Sequence, residues 1–172
     1  MQKPEQEIIA IVDESNRVIG EAPRHIMRRD NLIHRAAYIL VFNEREELFV
    51  QKRSLSKDIY PGLWDVAAGG VVLSGESYLE SAVREIQEEL GVTNPQLRHH
   101  FNYFFNKPDN RVWGAVFTCC HSGPFVLQKE EIDDGRFLPL TALDELNKKE
   151  PFTPDGLLVL KRLQNTRDIT EC

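Results

Sequence analysis

Between Ser77 and Gly91 the chain carries its most explicit local instruction. Ser77 followed three residues on by Glu80 has the spacing of a capping box, in which hydroxyl and carboxylate each satisfy a backbone N–H at a helix start. Gly91 stands where a left-handed residue ends a helix. Between them Leu79, Ala82, Val83, Ile86 and Leu90 recur at helical spacing, which predicts a helix over 78–90 with these five on its inward face. Glu85, Glu88 and Glu89 fall at i, i+3 and i+4, about 120° around from that stripe. Two such charges ~5 Å apart repel by under ~1 kcal/mol in water but by roughly 3 kcal/mol in a cleft of effective dielectric near 20. The acidic patch is therefore either a solvated face or a place that calls for a hard divalent cation.

A helix with one apolar side needs a layer to cover, and the rest of the chain supplies it. Ile8 to Val12 and Arg17 to Glu21 flank the turn signal Asp13-Glu14-Ser15-Asn16 and predict a hairpin. Arg35 to Phe42 and Leu48 to Arg53, joined by five polar residues, predict two core strands. Pro61-Gly62 turns the chain into Trp64 to Ala68, an apolar run that Gly69-Gly70 ends. Phe101 to Phe105, Val112 to Cys119 and Arg136 to Leu138 read as further strands, and Ala142 to Leu146 and Pro154 to Leu163 as helices. The pattern is α/β, a mixed sheet with helices on its faces. No repeat, low-complexity tract or linker divides the 172 residues, so we expect one domain over 1–172 with residues 1 to about 32 as an N-terminal extension.

Composition narrows the partners. A net charge of −6 sets the chain against a nucleic-acid backbone, while a local basic patch could still hold a small phosphorylated ligand. No run of 18 apolar residues and no signal-peptide pattern occurs, so no membrane partner and a cytoplasmic location are expected. Cys119, Cys120 and Cys172 lack metal-binding spacing and read as structural or incidental. The oligomeric state is left open, a homodimer included.

The run from Gly70 to Val92, GVVLSGESYLESAVREIQEELGV, meets every defined position of G-x5-E-x7-R-E-U-x-E-E-x-G-U, with U aliphatic. These are Gly70, Glu76, Arg84, Glu85, Ile86, Glu88, Glu89, Gly91 and Val92. Seven of them are single-residue requirements, and a chance match is on the order of 10⁻⁷. The segment is identified as a Nudix box. The resemblance implies the Nudix α/β/α sandwich, here with an added N-terminal β-hairpin, and hydrolysis of a phosphoanhydride bond in a nucleoside diphosphate derivative. It implies metal ligation by Glu85, Glu88 and Glu89 and by the backbone carbonyl of Gly69. Oxygen-only ligands suit Mg²⁺, with Mn²⁺ as the alternative. Arg84 becomes an orienter of Glu88, four residues on. Glu76 becomes a partner of Arg84 or a weak ligand. The general base is Glu85 or Glu88 within the box, unless the loop acids Glu130 or Glu131 take that part; adjacent acids in a polar loop otherwise read as solvent-exposed.

Outside the box, 11–92 resembles the isopentenyl-diphosphate isomerase branch, through Asn31-Leu32-Ile33-His34-Arg35-Ala36, Gln51 to Lys57 and Pro61-Gly62-Leu63-Trp64. That branch has a catalytic cysteine where this chain has Gly69, and metal-binding histidines where it has Val71 and Met27. His34 matches the remaining histidine and, alone, reads as a packed or hydrogen-bonded residue. Glycine supplies no proton donor or acceptor, so an isomerase is the rival enzyme and a non-catalytic Nudix-fold binding module the third reading. The isomerases grip diphosphate with residues matching Arg53 and Lys57, which are either phosphate ligands or a surface charge pair. Tyr60, Trp64 and Trp113 either stack on a substrate or fill the core, and His99-His100 reads as strand surface.

Overall fold

The computed structural model describes residues 6–166; Cys172 and the first five residues of the N-terminal extension lie outside it. Strand β3 (His34–Phe42) is the spine. Along one edge it pairs in parallel with β7 (Asn110–Cys120), from His34↔Val112 to Phe42↔Cys120, and β7 pairs antiparallel with β6 (Leu97–Lys107). The predicted hairpin to β4 (Leu48–Arg53) exists only at its turn, Phe42↔Leu48. Beyond it β4 turns to β8 (Ile132–Leu138) and to β5 (Trp64–Asp65), which is shorter than the predicted run to Ala68. The space so opened beside β3 is filled by the segment around Gly69-Gly70. Ile39 donates to the Ala68 carbonyl at 2.8 Å and Ala37 to the Gly70 carbonyl at 2.9 Å.

Alternation along β3 sends successive side chains to opposite layers. Ala37, Ile39 and Val41 meet Ala82, Ile86 and Leu90 of helix α2 (Tyr78–Leu90). Ala36, Leu40 and Phe42 belong to the core that includes Val159, Leu160 and Leu163 of α4 (Pro154–Asn165) and Leu143 of α3 (Leu143–Lys149). The result is an α/β/α sandwich around a mixed sheet.

Strands β1 (Ile8–Val12) and β2 (Val18–Pro23) form the expected hairpin, with Asn16 at φ 61° in its turn. A helix absent from the sequence reading follows, α1 (Arg24–Arg29). It has no side-chain cap and buries only Met27, so no apolar period announces it. Met27 packs with Ile9, Ile11 and Val71, which fixes the hairpin and α1 against the segment after Gly70.

Helix α2 has the predicted ends. Ser77 and Glu80 make both capping-box bonds, and Gly91 adopts φ 71°. Its inward face needs correction. Leu79 is 52% exposed and Val83 is only partly buried, whereas Ser81 and Glu89 are buried with Ala82, Ile86 and Leu90. The helix is rotated so that part of its acidic side, not its full apolar stripe, faces the sheet. Hydrogen bonds waiting for Glu89 explain the turn.

Candidate active site

Glu89 accepts from the backbone N–H of Gly69 at 3.0 Å and from the amide of Gln51 at 3.3 Å. Gln51, on β4, was not singled out by the sequence, and its other amide atom, Oε1, is buried without a partner. Gly69 has φ +138°, and a Cβ there would lie inside the contact radius of the Ala37 carbonyl oxygen. A Cβ on Gly70 would come 2.6 Å from Oε1 of Glu85. The doubled glycine thus lets the chain pass between the spine strand and the carboxylates.

Glu85 is largely buried, with its side chain 13% exposed. Burial pushes its carboxyl up to about 7, and the neighbouring charge of Glu89 adds to the effect, while Arg84 and Lys57 oppose it. Arg84 joins three acids. It donates to Glu76 at 2.8 and 3.0 Å, to Glu85 at 2.7 Å and to Glu88 at 3.3 Å. The sequence pairs Arg84 with Glu88 as its orienter; here it contacts all three acids, and Glu76 is its bidentate partner. Burial opposes the charge on Arg84, but Glu76 and Glu85 outweigh it and raise the guanidinium further.

The three box glutamates are not equivalent. Glu85 and Glu89 converge behind Gly69-Gly70, whereas Glu88, 31% exposed, reaches Arg84 from the outer side. Among the described residues no three acidic, histidine or cysteine side chains stand close enough to hold a metal ion as placed. The donor set nevertheless fits a hard cation. Glu85 and Glu89 bring surplus negative charge into a buried place, and the Gly69 carbonyl accepts no hydrogen bond among the described residues. Both observations leave oxygen atoms wanting a positive partner.

A small cleft of about 70 Å³ opens beside this set, lined by Gly69, Gly70, Arg53 and Lys57 among others. Lys57 pairs with Glu131 of the loop before β8, and burial holds its ammonium below the usual lysine range. Glu131 is partly buried in that ion pair, while its neighbour Glu130 is exposed. Arg53 also has a protein task. It donates to the carbonyls of Tyr60 at 3.2 Å and Ile59 at 2.9 Å and lies 3.4 Å from Asp65, holding the loop that carries Lys57. His34 is buried at 2% exposure, its Nδ1 3.0 Å from the Leu32 carbonyl, as a hydrogen-bonded residue should be. Trp64 fills the core, Trp113 stacks on Phe104 with ring centroids 5.2 Å apart, and Tyr60 is partly buried at φ 50°. His99 lies exposed on β6, 2.8 Å from Asn102. Cys119 is a buried free thiol.

Two more buried carboxylates, which no motif marked, lie close by: Asp155 lines the cleft, and Asp65 interacts with Arg53 and with Asp155. Tyr38 donates to Asp155 at 2.7 Å. Burial pushes Asp65 up to about 7; Arg53 opposes this and Asp155 reinforces it. The folded protein then holds the Asp65 proton more tightly than the unfolded chain, whose aspartates titrate near ~3.9. The share of the stability due to Asp65 must fall as pH rises from about 4 through about 7. Asp65→Asn removes that share, so between pH 4 and 9, without metal, the variant's Tm should gain on the parent's as pH rises through about 7. Parallel Tm curves for the two would contradict the assignment.

With fold and site in view, comparison with known proteins supplies the family. The NUDIX domain model matches residues 32–160, starting just after α1. The chain belongs to the Nudix family and is a hydrolase of its pyrophosphohydrolase class, a family that generally uses divalent metal ions. It is 49% identical over 156 residues to an uncharacterized Nudix hydrolase of Pseudomonas aeruginosa, covering 90% of this chain and 92% of that one. It is 42% identical to the uncharacterized Nudix hydrolase YfcD of Escherichia coli, covering 90% and 84%. The DR0079 crystal structure from Deinococcus radiodurans matches with TM-score 0.76 and 25% identity, over 90% of this chain and 98% of that one. The NUDIX domain of Shewanella oneidensis NrtR, solved with ADP ribose, shares the fold at TM-score 0.62 and 18% identity, over 77% and 86%. Among the described residues no helix is long and apolar enough to cross a membrane.

Proposed function

We propose that the chain hydrolyses the phosphoanhydride bond of a small nucleoside diphosphate derivative, with Mg²⁺ or Mn²⁺ held by Glu85, Glu89 and the Gly69 carbonyl. The observation that carries this reading is the convergence of two buried carboxylates on the Gly69-Gly70 segment, at the edge of a cleft that also holds Lys57. A divalent ion bound there would supply charge neutralisation and an activated water. The protein's own part is positional. Arg84 shares one guanidinium nitrogen between Glu85 and Glu88, at 2.7 and 3.3 Å, so the two candidate bases stand side by side. Glu88 would join the ligand set by turning from Arg84. Lys57 meets phosphoryl oxygens as it leaves Glu131, and Arg53 fixes the loop and offers its guanidinium to the same group. The unit is the whole chain, acting in the cytoplasm, with the N-terminal segment as an addition of an isomerase-like branch.

The isomerase reading has a structural argument against it beyond the missing cysteine: position 69 has no room for any side chain. A panel of nucleoside diphosphate sugars, ADP ribose included, assayed with Mg²⁺ and Mn²⁺ tests the proposal. Metal-dependent release of a nucleotide or phosphate is expected from at least one, and no conversion of isopentenyl diphosphate to dimethylallyl diphosphate. Turnover of the isoprenoid alone would overturn the reading.

A further inference from the structure

One wall of the cleft is built by the N-terminal segment. Arg24 and Arg28, one turn apart on α1, line the same cavity as Gly69, Gly70 and Lys57. Both lean on a single carboxylate, Asp58 of the β4–β5 loop: Nε of Arg24 at 3.0 Å and Nε of Arg28 at 3.1 Å. Arg24 has a second partner, Glu7 at 2.7 Å. Arg28 does not. Its Nη1 lies 3.4 Å from Nε2 of His34, and its Nη2 has no acceptor among the described residues. A guanidinium carries five N–H donors, so most of those on Arg28 are uncommitted although its side chain is only 20% exposed.

The arginine is held rather than loose. The Leu32 carbonyl fixes the proton of His34 on Nδ1, so the Nε2 lone pair faces Arg28. Burial, and then the charge of Arg28, pulls that imidazole down to about 3, and it stays neutral at physiological pH. Asp58 grips the other side and is partly exposed at the rim. The cavity that these groups line is small, about 70 Å³, and open to solvent.

We propose that Arg24 and Arg28 form an anion subsite that takes a phosphoryl group of the substrate, with His34 and Asp58 as its positioning residues. Planar guanidinium forks suit phosphoryl oxygens in bidentate fashion. The subsite rests on reading the cleft as a phosphoanhydride site, and it gives the N-terminal addition a task in binding.

Inorganic phosphate, titrated into the metal-free protein and followed by calorimetry and by the arginine Nε–H resonances, tests the subsite without any turnover. Saturable binding is expected, with the Arg28 signal shifting and with affinity about tenfold or more weaker in Arg28→Gln, as for loss of a charged hydrogen bond. Glu85→Gln should bind phosphate at least as well as the parent, since it removes a nearby negative charge. If Arg28→Gln folds poorly, the parent's Arg28 resonance still decides. A parent that binds no phosphate at millimolar concentration, or whose binding leaves the Arg28 signal unmoved or survives Arg28→Gln intact, overturns the subsite. The hydrolase reading is judged separately, by the substrate panel.

Discussion

Glu85→Gln is expected to lower the rate of hydrolysis by at least ~10²-fold while leaving the metal-free protein as stable as the parent or slightly more so. The loss is the scale of removing one preorganised electrostatic contact from a reaction that builds charge on phosphate. The stability follows from the surroundings of Glu85. Burial and the charge of Glu89 both disfavour its carboxylate, so a neutral amide of the same shape relieves a conflict. Arg84 keeps its two bonds to Glu76 and its contact with Glu88. The packing of Ala82, Ile86 and Leu90 is untouched. Steady-state rates and thermal melts on the same preparation check both halves, and parental turnover by the variant would remove the box helix from the chemistry.

Gly69→Ala should cost about 3 kcal/mol or more, because the added methyl meets a rigid backbone and the residue sits at φ +138°. Ala37, whose carbonyl it would strike, cannot retreat: its N–H is bound to Gly70 and its strand is paired along nine residues with β7. At 2–4 °C per kcal/mol for a chain of this size, Tm should fall by roughly 10 °C. The N–H of Gly69 that holds Glu89 would move as well, so any folded variant should also lose activity. A variant with the parent's Tm would show that the backbone at 69 relaxes freely. The same geometry explains why restoring a cysteine by Gly69→Cys should not recover isomerase chemistry.

Helix α2 was legible to the residue because both its ends are written in local chemistry, a capping box and a left-handed glycine. Its rotation was not. Apolar spacing put Leu79 and Val83 inside, but the hydrogen bonds offered to Glu89 by Gly69 and Gln51 come from segments 20 and 38 residues away. Tertiary partners of that kind leave no periodic trace. Strands β3 and β4 were legible as strands, yet their principal partners, β7 and β8, are long-range choices that a short polar connection concealed. Of the site, the box supplied Glu76, Arg84, Glu85, Glu88 and Glu89 by pattern. The wall built by Arg24, Arg28 and Asp58 escaped, since a six-residue helix without a cap or apolar stripe looks like a charged loop. Asp65 and Asp155, 90 residues apart, carry no motif at all and meet only through the fold.

The claim on which the rest depends is that α2 and Gly69 gather a divalent metal, and a metal-linked thermal melt tests it most directly. A ligand at 100 times its Kd stabilises the folded state by about 2.7 kcal/mol. Mg²⁺ or Mn²⁺ should therefore raise the parent's Tm by several degrees, saturating with concentration. Glu85→Gln and Glu89→Gln should each lose most of that rise while retaining the parent's metal-free Tm or exceeding it. If the two variants are stabilised by metal as strongly as the parent, the glutamate helix does not hold the ion and the account of the site is wrong.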